Sequence, residues 1–148
     1  MYNKNQVNKI IDKNICILSR YSHAHADEQL KILELNKTQA EIVLFIYEND
    51  NLSLTEINRY FLFNKATITK NIKHLVQLGL VTWNNSDADK RKKMMVITNK
   101  GKSLTPDIIK VLRQWDNKLT LELSTEEAAS LSDLLYTITR RITENEAY

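Results

Sequence analysis

Apolar residues recur along most of this chain at helical intervals. Val7, Ile11, Ile15, Leu18 and either Tyr21 or Ser22 predict one long amphipathic helix from residue 5 to about 30, without an evident N-cap. Thr38 and Glu41 form a capping-box pattern ahead of an apolar stripe of Ile42, Phe45 and Ile46, so a second helix should end near Asn49. Ser53 and Glu56 repeat the pattern and open a short helix from Leu54 to Phe61, with Ile57 and Phe61 inward. Asn64 is placed to cap another from Lys65 to about Leu78, and Gly79 supplies the left-handed exit that ends helices at low cost.

After Gly79 the pattern changes. Leu80-Val81-Thr82-Trp83, a turn-rich Asn84-Asn85-Ser86-Asp87 and Met94-Met95-Val96-Ile97-Thr98 predict a β-hairpin. Two helical segments follow. Ile108, Leu112, Trp115 and Leu119 share a face of the first; Ser124 and Glu127 cap the second, which carries Leu131, Leu134, Leu135, Ile138 and Ile142. Pro106 lacks an amide hydrogen and should mark either a helix's first turn or a kink. Helix, turn, helix and hairpin in that order predict a mainly α fold with a small β wing, a winged helix-turn-helix.

Composition narrows the function. The 148 residues fit one domain, and the longest apolar run, Ile42 to Tyr47, falls far short of the ~20 residues of a membrane helix. The polar N-terminus has no signal core, so a cytoplasmic protein is expected. One cysteine, Cys16, makes no internal disulfide or multi-thiolate zinc site; two glycines, Gly79 and Gly101, are too few for a dinucleotide fingerprint, and Gly101-Lys102-Ser103 lacks the P-loop's first glycine because Val96 stands there. No nucleophile elbow, zinc-protease pair or phosphate loop is present, so neither catalysis nor a cofactor is expected.

Net charge is only +3, but it is unevenly distributed. Residues 53–102 hold ten basic and three acidic side chains, 10 − 3 = +7, which leaves 3 − 7 = −4 for the rest. A basic middle between acidic flanks attracts a polyanion through counterion release. Placing Ile68, Ile72 and Leu75 inward puts Ala66, Lys70, Lys73 and Gln77 on the outer face of the helix, with Asn64, Lys65, Thr67 and Thr69 near its start, where amides favour phosphate. A major groove ~12 Å wide admits one such helix, so Lys65, Thr67 and Lys70 are assigned to base edges and Lys73 to the same face. Arg91 at the hairpin tip is assigned to the minor groove, and Lys90, Lys92 and Lys93 to the backbone. His74, on the same helix, is read as a phosphate neighbour.

These residues also carry a resemblance. Leu35-Asn36-Lys37-Thr38-Gln39, Asn64-Lys65-Ala66-Thr67-Ile68-Thr69-Lys70, Gly79-Leu80-Val81, Asp89-Lys90-Arg91 and Ile97-Thr98-Asn99-Lys100-Gly101 resemble the MarR family of bacterial transcription regulators over 35–103. The Asp-x-Arg wing followed by a Thr-x-x-Gly exit is the specific part; Trp83 departs from it, standing where relatives commonly carry arginine.

The resemblance implies one MarR-like domain over 1–148. Residues 35–103 would be the winged lobe, and 1–34 with 104–148 the interlocking helices of a homodimer. It implies double-stranded DNA with a near-palindromic operator as partner, and often a small-molecule effector or oxidant that releases it. The apolar stripes of the first and last helices independently exceed what a small core can cover.

Two clusters are candidate sensors. Cys16 lies roughly where the family's peroxide-sensing branch has its cysteine, with Arg20 and Tyr21 nearby, but that branch's further tyrosines are replaced by Lys37 and Thr38; the alternative is a cysteine that only packs. His23 and His25, with Asp27 and Glu28, suit zinc by donor type, yet His23 and His25 point to different sides, so histidines ending a helix are the competing reading and no metal is assigned. The expected function is a sequence-specific DNA-binding regulator acting as a repressor. The alternatives are a zinc- or peroxide-sensing subtype and a winged-helix interaction module without specific DNA binding.

Overall fold

The computed structural model describes residues 4–49, 51–85 and 93–145. The chain starts with a short helix, α1 (Lys4–Asn8), and α2 (Ile11–Leu30). The single long helix expected from the periodicity is therefore interrupted, because Ile10 adopts extended backbone (φ −67°, ψ 116°). A 3-10 turn (Lys31–Leu33) and left-handed Glu34 (φ 58°) lead to α3 (Lys37–Glu48).

The start of α3 corrects the capping assignment. Asn36, not Thr38, is the N-cap: its Oδ1 accepts from Gln39 N at 2.9 Å, and Gln39 Oε1 accepts from Asn36 N at 3.0 Å. Both pairs satisfy the local pattern. A contact from ten residues upstream selects between them, since Asp27 Oδ1 accepts from Lys37 N at 2.6 Å and fixes where the helix begins.

Next come β1 (Leu52–Ser53) and α4 (Leu54–Phe61), with the expected Ser53–Glu56 capping box, and then α5 (Lys65–Gln77). Strands β2 (Val81–Asn85) and β3 (Lys93–Ile97) pair antiparallel from Val81↔Ile97 to Asn85↔Lys93, as the hairpin reading required. Sequence patterning missed β1, which adds to the other edge of β3 through Leu52↔Met95 and makes a three-stranded sheet ordered β1-β3-β2. Two residues carry no periodicity of their own.

The chain finishes with α6 (Asn99–Leu119) and α7 (Thr125–Asn145). Pro106 lies well inside α6 rather than in its first turn. The helix also begins at Asn99, so it runs unbroken through the 103/104 boundary between the expected lobes.

The core gathers one face of each element in the winged half: Ala26 and Leu30 from α2, Ile42, Val43 and Ile46 from α3, Ile57, Ile68, Ile72 and Leu75, then Leu80, Val81, Met95 and Ile108. The N-terminal half of α2 and all of α7 stay outside it. Ile11 is 74% exposed, Leu134 61%, and α7 buries no residue within the chain. Within the chain α2 is buried only from Ser22 onward.

Candidate nucleic-acid interface

The basic helix α5 is held by four local devices. Leu62 takes left-handed backbone (φ 52°) and turns the chain out of α4. Asn64 Oδ1 accepts from Thr67 N at 2.8 Å, capping α5 as expected. At the other end Gly79 N donates to Val76 O and Leu80 N to Leu75 O, the paired bonds of a Schellman motif, with Gly79 at φ 70°. Lys100 then reaches back from α6 and donates to Leu78 O at 2.7 Å, placing a cation at the negative end of the helix.

Two long-range bonds fix how α5 is rotated. Gln39 Nε2 of α3 donates to Asn71 Oδ1 at 3.2 Å. His74 Nε2 lies 3.0 Å from Glu34 O, and because a carbonyl only accepts, that nitrogen donates. Its ring is thus engaged through Nε2 with the turn after α2, forty residues away in sequence.

With Ile68, Ile72 and Leu75 buried, Ala66, Lys70, Lys73 and Gln77 are exposed on the opposite face, and Lys65 is exposed at the helix start. They line an open concavity of about 790 Å³ together with Thr69 and His74. Thr67 and Thr69 are half-buried, and Thr69 Oγ1 donates to Lys65 O at 2.7 Å, which leaves its lone pairs outward. The ion pairs among the described residues involve Lys31, Lys37 and Arg140, so Lys65, Lys70 and Lys73 carry uncompensated charge. The structure brings Lys65, Ala66, Thr69, Lys70 and Lys73 of the sequence reading onto one surface, while Asn64 caps the helix and Thr67 lies outside the concavity. Lys90, Arg91 and Lys92, the wing residues, lie outside the described residues.

Thr98, Gly101 and Lys100 show what the Thr-x-x-Gly exit does physically. Thr98 Oγ1 donates to Gly79 O at 2.7 Å and accepts from Gly101 N at 3.0 Å, so one hydroxyl caps α6 and ties it to the end of α5. Gly101 is buried against Leu80 O, and a Cβ there would sit 2.2 Å from that oxygen. Trp83, the noted departure in the wing, is half-buried against the core.

The two sensor candidates are placed apart from this surface. Cys16 is exposed, and its Sγ lies 3.9 Å from Asp12 Oδ1, an anionic neighbour rather than the cationic one that stabilises a thiolate. His23 Nδ1 bonds Ser19 O within its own helix at 2.9 Å. His25 instead faces α6, its ring centroid 5.6 Å from that of Trp115 and its Nδ1 3.2 Å from Lys118 Nζ. Among the described residues no three metal-ligating side chains converge.

A trihelical core, a three-stranded wing sheet and an outward cationic helix define a winged helix-turn-helix protein. The MarR family model matches residues 33–92. The HTH-type transcriptional regulator BilQ of Clostridioides difficile (strain CD3) is 27% identical over 124 residues, 84% of this chain and 84% of its own length. The MarR protein from Peptoclostridium difficile DA00132 superposes with a TM-score of 0.80 at 26% identity, covering 98% of this chain and 94% of that one. A MarR transcriptional regulator from Methanosarcina mazei Go1 shares the fold, with a TM-score of 0.81 at 23% identity over 88% of this chain and 94% of its own.

Over residues 33–92 this chain matches the MarR family model, and across most of its length it is similar to MarR proteins in sequence and fold. The curated relatives it matches are named HTH-type transcriptional regulators. No helix among the described residues is long and apolar enough to cross a membrane.

Proposed function

We propose that this chain is a homodimeric, sequence-specific DNA-binding repressor that a small effector releases from its operator. The carrying observation is the α5 surface: three unpaired lysines on a helix rotated by buried Ile68, Ile72 and Leu75 so that they face solvent together. Lys65, Thr67 and Lys70 read base edges, with Asn64, Ala66, Thr69 and Lys73 completing the face. From their place in the chain between β2 and β3, Lys90 and Lys92 hold backbone and Arg91 enters the minor groove.

The lobes follow the expected division, 35–103 for DNA and 1–34 with 104–148 for dimerisation. The exposed stripes support it: Ile11, Ile15, Leu18 and Tyr21 on α2, and Leu131, Leu134, Leu135, Ile138 and Ile142 on α7 are all more than a third exposed. Such exposed apolar stripes call for a partner, and a second copy carries the same stripes, as a two-fold interface needs. Two α5 helices would then meet half-sites ~34–36 Å apart on one face of the duplex. A small ligand is favoured over an oxidant as releasing agent because of the Asp12 carboxylate beside Cys16.

Selection of bound duplexes from a random oligonucleotide pool tests this reading. A palindromic motif with half-sites one helical turn apart is expected; no enrichment over the input pool would overturn it. Within the selected site, Arg91→Ala should weaken binding by ~1–3 kcal/mol with partial loss of A·T preference, whereas Lys92→Ala should weaken matched and scrambled DNA alike. Fluorescence anisotropy on both duplexes separates the two roles, and equal Arg91→Ala losses on both would remove Arg91 from the groove.

A further inference from the structure

On the side of the winged lobe formed by α3 and α4, three aromatic rings make a corner. Phe45 and Tyr60 stack with centroids 4.0 Å apart at 17°, and Phe61 stands edge-on to both, 5.7 Å from Phe45 and 5.0 Å from Tyr60. A cavity of about 360 Å³ opens on them, walled by Leu44 and by two carboxylates about one turn of α3 before and after Phe45, Glu41 and Glu48. That volume is at the lower end for small-molecule sites.

Charge around the corner is one-sided. Glu41 is paired with Lys37 at 3.3 Å, while Glu48 has no cationic partner among the described residues. Burial holds the Tyr60 phenol above its ordinary pKa, and Glu48 and then Glu41 push it further up, so both carboxylates act on the same ring. Phe45 and Tyr60 also line a second, mostly apolar cavity of about 280 Å³ with Leu52, Leu62 and Ile142, but there the charged neighbours include Arg59. A ligand spanning both would therefore carry its positive charge toward Glu41 and Glu48 and its apolar body toward Leu62.

We propose that Phe45, Tyr60 and Phe61 with Glu41 and Glu48 form a binding site for an organic cation with an apolar body. Aromatic faces attract a weakly hydrated cation through their quadrupoles, and a neighbouring carboxylate strengthens the attraction. An organic anion is repelled by the same two carboxylates. A small hard cation is a poor match for a wall that is largely ring carbon, because it would lose hydration without regaining it.

Isothermal titration of the full-length protein with benzyltriethylammonium, benzyl alcohol and benzoate tests the proposal. The cation should bind once per chain, the neutral probe at least about tenfold more weakly, and benzoate not measurably. Tyr60 and Glu48 are exposed, so Tyr60→Leu and Glu48→Gln should keep the fold, which a thermal melt verifies. Tyr60→Leu should weaken cation binding about tenfold and Glu48→Gln about fivefold, while Glu122→Gln, outside the site, leaves it unchanged. Absent cation binding, equal binding of benzoate, or indifference to Glu48→Gln would each overturn the proposal. So would a change in sedimentation mass on Tyr60→Leu, which would make this corner an interface between two copies.

Discussion

Gly101→Ala should destabilise the protein by about 3 kcal/mol or more, read as a lowered midpoint in urea unfolding. Two effects of opposite sign compete at this position. Gly101 lies in the first turn of α6, and alanine inside a helix is favoured over glycine by about 1 kcal/mol on propensity alone. Against that, the new Cβ would meet Leu80 O at 2.2 Å and Ile97 Cγ1 at 2.7 Å. The first of these is backbone, held by Thr98 N donating to the same oxygen at 3.0 Å, so it has no flexible side-chain end to move aside. The clash wins.

Gly79→Ala provides the contrast. Nothing lies within 4 Å of its would-be Cβ, and only the left-handed backbone at φ 70° resists substitution, so the loss should be about 1–2 kcal/mol. A Gly101→Ala protein as stable as the parent, or less perturbed than Gly79→Ala, would show that α6 does not dock on Leu80 as described.

On the proposed reading, DNA affinity should fall by about 2,000-fold between ~50 and 200 mM monovalent salt. The estimate follows from counterion release: six phosphate contacts in a dimer give a logarithmic slope near −0.9 × 6, or about −5.4, over a fourfold change in salt. Six contacts require three cations per chain, and Lys73 with Lys90 and Lys92, the lysines not assigned to base edges, supply that number. Titrations of one labelled duplex at four salt concentrations measure the slope. Lys73→Ala, which removes one cation from each chain, should flatten it by about 2. A slope near zero would sink DNA binding as the role of this surface and favour a protein-contact module.

The winged half was largely legible in the sequence because its punctuation is local. Asn64 three residues before Thr67, Ser53 three before Glu56 and Ser124 three before Glu127 each cap through bonds that the intervening backbone brings within reach. Gly79 has the positive φ that its place after an apolar stripe implies. The outward face of α5 followed from the spacing of Ile68, Ile72 and Leu75, since 3.6 residues per turn leaves Lys70 and Lys73 no other side.

Where the local reading failed, groups distant in sequence were involved. Thr38 heads a capping pattern, but Asn36 caps α3, and Asp27 accepts from the next amide, Lys37 N. His74 sits among the lysines of α5, yet the bond that orients its ring comes from a carbonyl forty residues upstream. The aromatic corner was equally invisible, since Phe45 and Tyr60 belong to different helices and only the packing of α3 on α4 stacks them.

Composition and periodicity alone settled that this protein has an amphipathic helical scaffold with a hairpin and a cationic middle, because caps, stripes and net charge depend on neighbours a few residues away. The tertiary structure alone decided the third strand, the start of α3, the Leu80 contact that demands glycine at 101, and which apolar stripes the chain can cover by itself. Those outcomes hinge on groups tens of residues apart competing for the same space and the same hydrogen bonds, and no local spacing encodes the winner.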